Sequence, residues 1–334
     1  MTMTATTTQA NDHDRPLRAG VLGVGSMGEN HARVYSELQG VDLVGVTDLD
    51  SELAEGVARR YGTTALPKAD LLAACDLVSV AVPTGAHHDA VTDCFDAGVN
   101  VLVEKPVAET VEQGRALERQ AAERDLVLQV GHVERFNPAV ETLEAVIADL
   151  DVIAVEAERL GPPVDRTVTD PVVNDLMIHD VDVVRSLFDG ELTVLSAMST
   201  DDGQYATATM TCDDAIVSLR ASRRTQKKVR RLTVTAQECL VEVDYLQQSV
   251  LIHRDSYPEY VTDEGRNRHR HESVVERPRV DNGEPLKREL EAFVTAVRAG
   301  SEPPVTAGDG IAALETIERI NRYVADVDGE LVAR

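Results

Sequence analysis

The chain has no tryptophan, four phenylalanines and seven tyrosines in 334 residues, so aromatic stacking contributes little to its core. Lysine is almost missing: Lys68, Lys105, Lys227, Lys228 and Lys287 are the only lysines among 33 basic residues, the rest being arginine. Positive charge is itself scarce, with 58 acidic residues and a formal net charge of −25. An acid excess spread along the whole chain argues against binding nucleic acid or an anionic membrane by bulk electrostatics. With so few lysines and aromatics it points to adaptation to high salt, where self-repulsion is screened within about 3 Å at 1 M. No apolar run approaches the roughly 20 residues of a membrane span. Residues 1–16 lack an apolar h-region and a cleavage signature, so a disordered tail is expected there and the protein is expected in the cytoplasm. Cys75, Cys94, Cys212 and Cys239 lie far apart with neither CxxC nor zinc-type spacing, which leaves buried free thiols as the expectation.

What is present divides into two halves, as a length of about two 150-residue domains suggests. Residues 17–24 form a short apolar strand that runs into Gly23-Val24-Gly25-Ser26-Met27-Gly28, with a helix from about residue 29. The next strand, 41–46, ends in Thr47-Asp48. A glycine fingerprint between a strand and a helix, with an acid closing the following strand, is the pattern of a dinucleotide site. Gly23 permits the tight turn, Gly25 lets backbone approach a pyrophosphate, and Gly28 allows close helix packing. The helix N-terminus offers free N–H groups to phosphate. Asp48 would accept hydrogen bonds from the adenosine ribose and repel a 2′-phosphate, helped by Asp50. The nearest arginines are Arg59 and Arg60, so NAD is expected rather than NADP.

Strands continue at 76–82, 100–103 and 126–130, separated by helices at 87–97 and 111–124. This alternation implies a parallel doubly wound sheet with ligands beyond the strands' carboxyl ends. Pro83, Thr84, His87, Glu104, Lys105 and His132 fall at such ends and are expected around the cofactor, with Ser26 and Met27 in its phosphate loop. After Gly131 the pattern changes. A helix at 138–149 and a strand at 152–159 precede a helix at 175–188. Alternating strands follow at 192–199, 205–212, 215–222, 231–236, 239–244 and 249–252, joined by short polar turns. Residues 257–282 read as irregular, with Arg266 to His271 as a mobile loop, and helices at 286–299 and 311–327 close the chain. The expected fold class is α/β: an N-terminal Rossmann doubly wound parallel sheet over 17–130, plus a C-terminal α+β domain over 131–334. That second domain would have an open, mostly antiparallel sheet serving substrate and oligomerisation. The last helices are candidates to pack back on the first domain.

The helix at 175–188 carries the most chemistry. Asp175, His179, Asp182 and Ser186 fall within about 60° of one another on an otherwise apolar helix. Such a stripe must find partners. Three readings stay open: a satisfied structural network, a proton-handling pair formed by Asp175 and His179, or a metal held by His179 with Asp175 or Asp182. Asn174 is a candidate cap. Lys105 bears on the choice. In so arginine-rich a chain, a lysine after a buried strand suggests a group that must lose its proton, which arginine does not do in proteins.

These segments together resemble the Gfo/Idh/MocA oxidoreductases: the glycine loop, Val82-Pro83-Thr84 with His87, Glu104-Lys105-Pro106, Gly131-His132 with Arg135-Phe136-Asn137-Pro138, and Asp175 with His179-Asp180. The resemblance covers nearly the whole chain. It implies a NAD-dependent dehydrogenase acting on a sugar alcohol, with Lys105, His179 and Asp175 catalytic and no metal. Either Lys105 or His179 would be the base. Arg135 and Asn137 are expected to join Lys105, Asp175 and His179 in binding substrate. The Glu134-to-Pro138 segment and the run Lys227-Lys228-Val229-Arg230-Arg231 are similar to members that oxidise C3 of UDP-N-acetylglucosamine or related nucleotide sugars. That basic run would meet a pyrophosphate, or else is a solvated strand end or subunit contact. The alternatives are a free-sugar or inositol dehydrogenase and, outside enzymes, a non-catalytic NAD-binding sensor. A homo-oligomer, dimer or tetramer, is expected.

Overall fold

The computed structural model describes residues 15–163, 170–188, 190–200, 202–255, 259–263, 266–270 and 273–332. They form two compact units. The first comprises the described residues up to Gly131 together with Glu289–Ala307; the second comprises His132–Arg288 and the residues from Gly308 on.

In the first unit β1 (Leu17–Leu22), β2 (Val41–Thr47), β3 (Leu77–Val80), β4 (Asn100–Glu104) and β5 (Leu128–Gly131) form a parallel sheet in the order β2-β1-β3-β4-β5. Ala65 adds a single parallel bridge to Val46 beside β2. Counting that residue as a reduced strand gives the 3-2-1-4-5-6 order of dinucleotide-binding sheets, whose switch point lies between β1 and β3. Every residue of β3 is buried, as a strand covered on both faces requires. Between the strands run α1 (Ser26–Glu37), α2 (Ser51–Tyr61), α3 (Lys68–Ala74), α4 (His87–Asp96) and α5 (Val111–Glu123). Local chemistry sets their ends. The Asp50 side chain caps α2, and Gly62, at φ 68, closes it in the left-handed conformation. Thr110 and Gln113 form a capping box at the start of α5.

The second unit holds α6 (Pro138–Ile147), β6 (Val152–Leu160), a π-helical turn Val173–Met177 that leads into α7 (Ile178–Leu187), and the strands of an eight-stranded sheet. These are β7 (Leu192–Ser199), β8 (Tyr205–Cys212), β9 (Ala215–Ser222), β10 (Val229–Ala236), β11 (Leu240–Asp244) and β12 (Ser249–Asp255). After them come β13 (Glu259–Asp263), β14 (Arg266–Arg270), β15 (Ser273–Glu276), α8 (Pro285–Ala299) and α9 (Ala307–Val332). The sheet order is β15-β12-β11-β10-β6-β9-β8-β7, antiparallel except for β6 beside β9. Residues alternate along each strand. Val155, Ala157, Val217, Leu219, Leu232 and Val234 point inward to a core shared with α6, α7 and α9. The opposite face carries Glu156, Glu158, Thr207, Thr209 and Arg231.

The expected fold class holds, with local corrections. The stretch read as irregular contains two paired strands, β13 and β14, and a third, β15, that extends the large sheet beside β12. Tyr257 and His271, at the ends of segments singled out above, lie outside the described residues, as does the tail up to residue 14. Arg15, assigned to that tail, is anchored by a two-point bond to Asp76 at 2.8 and 3.0 Å. The four cysteines are free and buried. Among the described residues no helix is long and apolar enough to cross a membrane.

Candidate active site

The loop from β1 to α1 is shaped by its glycines. Gly23 has φ +80, and a Cβ there would lie 2.8 Å from the Ala81 carbonyl oxygen. A Cβ on Gly28 would come within 1.8 Å of the Gly23 carbonyl oxygen, which no side chain tolerates. At Gly25 an added Cβ meets nothing within 4 Å, so that face of the loop is open. Helix α1 starts at Ser26, three residues before the expected position, with Gly25 as its N-cap and no side-chain cap bond. Ser26, Met27 and Gly28 therefore belong to the first turn, whose N–H groups and positive dipole end suit a phosphate.

Asp48 stands just past β2. Its Oδ2 accepts from the Val24 N–H at 2.8 Å and its Oδ1 from the Asp50 N–H at 3.0 Å. These bonds fix the carboxylate beside the glycine loop and leave lone pairs for ribose hydroxyls. Arg59 and Arg60 are paired with Glu55 and Glu29, so neither is spare for a 2′-phosphate. Loop and acid together fit NAD. Leu49, beside Asp48, is fully exposed, an apolar side chain at the expected adenosine end that the sequence reading passed over.

Beyond β3, Pro83 is exposed and Thr84 opens a short 3₁₀ turn, Thr84–Ala86. His87 is buried. Its Nδ1 lies 2.8 Å from the Pro106 carbonyl oxygen and its Nε2 2.9 Å from that of Val82, so it ties the loop after β3 to the loop after β4. Burial is the largest influence on its pKa and pushes it down, while the two carbonyl acceptors oppose that. Glu104, the last residue of β4, is buried too. Its Oε1 is 2.9 Å from His31 Nε2, His31 Nδ1 is 2.9 Å from Ser79 Oγ, and Ser79 Oγ is 2.9 Å from the Tyr35 hydroxyl. Burial alone would raise the Glu104 carboxyl; His31, by its hydrogen bond first and then electrostatically, and Lys105 and His87 after it hold it below the usual range. An ionised Glu104 only accepts, so His31 donates through Nε2. The contacts thus link Tyr35, Ser79, His31 and Glu104 in one buried chain. Half-buried Lys105 follows directly in the chain. His87 and Glu104, expected at the cofactor, are each held by partners within the first unit.

In the second unit the expected helix at 175–188 is in two parts, and π-helical turns inside helices are frequent at functional sites. Asn174 does not cap it: Val172 holds that position, and Asn174 Oδ1 accepts from Asn321 Nδ2 at 3.1 Å. Asp175, in the π turn, pairs with Arg223, which also donates to the Asp170 carbonyl at 2.9 Å. His179 lies half-buried on the first turn of α7. Asp182 receives a two-point bond from Arg135 at 2.9 and 2.8 Å, with His132 Nδ1 at 3.7 Å. Ser186 donates to the Val183 carbonyl. Asp182 is thus tied to Arg135, Ser186 bonds its own helix, and Asp175 is paired with Arg223 one turn before His179.

Arg135 and Asn137 face inward. Arg135 is committed to Asp182, with Asp309 at 3.3 Å. Asn137 caps α6 through the Ala139 N–H and donates to Glu134 and to the Tyr245 carbonyl, both at 3.2 Å. Asn137 is therefore a positioning residue. Sequence reading missed the cluster around it. Arg159 forks onto Asp180 at 3.0 and 2.8 Å, reaches Glu134 at 2.7 Å and lies 5.5 Å from the Tyr245 ring centre. Its signal was an arginine in phase with the inward Val155 and Ala157 of β6.

The family model described as an oxidoreductase family with an NAD-binding Rossmann fold matches residues 17–132. The chain is similar to a UDP-N-acetylglucosamine 3-dehydrogenase of Acidithiobacillus ferrooxidans, 37% identical over 243 residues, covering 71% of this chain and 77% of that one. A solved structure of the UDP-N-acetylglucosamine 3-dehydrogenase from Acidithiobacillus ferrooxidans matches with a TM-score of 0.81 and 32% identity, covering 92% of this chain and 97% of the other. An inositol 2-dehydrogenase of Rhizobium meliloti (strain 1021) is 28% identical over 333 residues, 93% of this chain and 97% of its own.

Proposed function

This chain belongs to the Gfo/Idh/MocA family of NAD-binding oxidoreductases, and on that premise we propose that it oxidises C3 of UDP-N-acetylglucosamine or a closely related nucleotide sugar. The observation that carries the substrate is the likeness to a UDP-N-acetylglucosamine 3-dehydrogenase over most of both chains. Bound NAD supplies the hydride acceptor. The residues of the chain do the rest. Gly25 and the first turn of α1 would hold the pyrophosphate, and Asp48 would take the adenosine ribose. Pro83 and Thr84 would serve the nicotinamide end, with His132 proposed from its motif alone, and His87 and Glu104 hold the loops on either side of Lys105.

As hydride leaves the sugar carbon, the hydroxyl proton passes to Lys105 or to His179, and Asp175 orients the acceptor. We also propose that the protein works as a homo-oligomer in the cytoplasm of a salt-adapted cell. The open face of the large sheet, with Leu195, Met198 and Ile216 exposed, would meet a second copy. Sedimentation of a Met198→Glu, Ile216→Glu variant as a smaller species would support that contact.

The test of the activity is to mix protein, NAD and UDP-N-acetylglucosamine in molar salt and follow reduced nicotinamide. Turnover that falls about 100-fold or more in Lys105→Ala, with NAD affinity kept, fits a general acid–base role. His179→Ala should behave alike; an equal loss of NAD affinity would remove it from catalysis. The second reading is an inositol or free-sugar dehydrogenase, favoured by the end-to-end likeness to the Rhizobium protein. Turnover of inositol but not of the nucleotide sugar, unaffected by UDP, would select it.

A further inference from the structure

Two arginines stand side by side on the inward face of the second unit's sheet. Arg159 of β6 and Arg230 of β10 are paired in register where the two strands meet the loops. Arg230 continues the inward series Leu232, Val234 and Arg159 the inward series Val155, Ala157. Their partners differ. Arg159 has a carboxylate on each side, Asp180 and Glu134. Arg230 is half-buried and donates through Nη1 to two carbonyl oxygens, of Leu160 at 2.7 Å and Val229 at 2.9 Å. Among the described residues it takes part in no ion pair. Around it the chain pairs its arginines with acids: Arg135 with Asp182, Arg223 with Asp175, Arg224 with Asp202.

The electrostatics agree with this geometry. Burial and the neighbouring Arg159 pull the Arg230 pKa down to about 10, against the opposing pull of Asp180, Glu134 and Asp175. The guanidinium stays charged at neutral pH, partly desolvated and beside a second arginine, with no carboxylate within ion-pair distance among the described residues. Both carbonyls take Nη1 alone, which leaves the Nε and Nη2 N–H groups as donors for a planar or tetrahedral oxyanion. Lys227 and Lys228, just before it in the chain, are exposed and add long-range attraction for an anion.

We propose that Arg230 binds the diphosphate of a nucleotide-sugar substrate and thereby selects nucleotide sugars over free sugars and inositols. The inference rests on the nucleotide-sugar reading above and adds the residue that enforces it. It also accounts for a basic run in so acidic a chain.

The test uses the full chain saturated with NADH and titrates UDP, inorganic pyrophosphate and uridine by calorimetry. Arg230→Met is expected to weaken UDP and pyrophosphate about 10- to 100-fold, the range of a lost charge-assisted bond. Uridine and NADH affinities should stay within about twofold. Arg230→Lys, which keeps the charge but not the fork, should fall between, and it serves alone if the methionine variant does not fold. Unchanged UDP affinity in both variants would overturn the role of Arg230 and leave the activity untouched. An equal weakening of uridine would also overturn it, since the loss would not lie at the phosphates. Failure of the wild-type protein to bind UDP at all would instead overturn the nucleotide-sugar reading, and this proposal with it.

Discussion

Asp48 shows how one side chain joins fold and function. It accepts the Val24 and Asp50 N–H groups and is thereby fixed against the glycine loop. Asp48→Ala should weaken NAD about tenfold or more, as loss of charge-assisted bonds to the ribose would, while the chain stays folded. Calorimetric titration with NAD checks it. Gly28→Ala should fail more broadly, because its Cβ would sit 1.8 Å from the Gly23 carbonyl oxygen. At least about 1–3 kcal/mol of overpacking is expected, read as a lower denaturant midpoint together with lost NAD binding. Residues whose work depends on backbone conformation or on a fixed place in a motif were legible: Gly23, Gly28 and Asp48 among them. Direction was not. Chain order placed His87, Arg135 and Asn137 near strand ends, but whether a side chain turns toward ligand or inward depends on partners distant in sequence, such as Asp182 for Arg135 and Pro106 for His87.

Among the elements, β6 and α7 are joined by the buried pair Arg159 and Asp180, each almost without solvent exposure. Removing Arg159 should cost at least about 3–5 kcal/mol, because the Asp180 and Glu134 carboxylates both lose their partner. Chemical denaturation of Arg159→Met tests this, and a loss below about 1 kcal/mol would mean that the pair matters no more than a surface one. Strands were read well where apolar and polar residues alternate. The segments expected at 192–199, 205–212 and 215–222 coincide with β7, β8 and β9. Helices α2 and α3 went unremarked although Asp50 and Gly62 mark both ends of α2. The strands β13 and β14 were read as loop because Arg-Asn-Arg-His-Arg offers no apolar alternation. The π turn at Val173–Met177 inserts into a helical period that sequence alone reads as unbroken.

For the whole molecule, charge governs stability. A net charge of −25 disfavours the compact state through self-repulsion, and salt screens it. The melting temperature should rise between 0.1 and about 1 M salt, where the Debye length shortens from about 10 Å to 3 Å. Acid acts through particular groups. Asp76, held by Arg15 and Arg18 against the opposing effect of burial, has a carboxyl below the usual range, as do Glu104 beside His31 and Glu134 beside Arg159. Each contributes stability above the unfolded carboxyl pKa of about 4 and loses it as pH falls through the depressed folded value. Melting temperature should therefore drop as pH is taken below about 4, and less steeply in Asp76→Asn. The activity itself is tested most directly with UDP-N-acetylglucosamine carrying deuterium at C3, incubated with NAD and the protein in molar salt. Deuterium in the reduced nicotinamide, absent with Lys105→Ala, is the expected result. Reduced nicotinamide free of deuterium, or none formed while NAD still binds, would contradict hydride removal from that carbon.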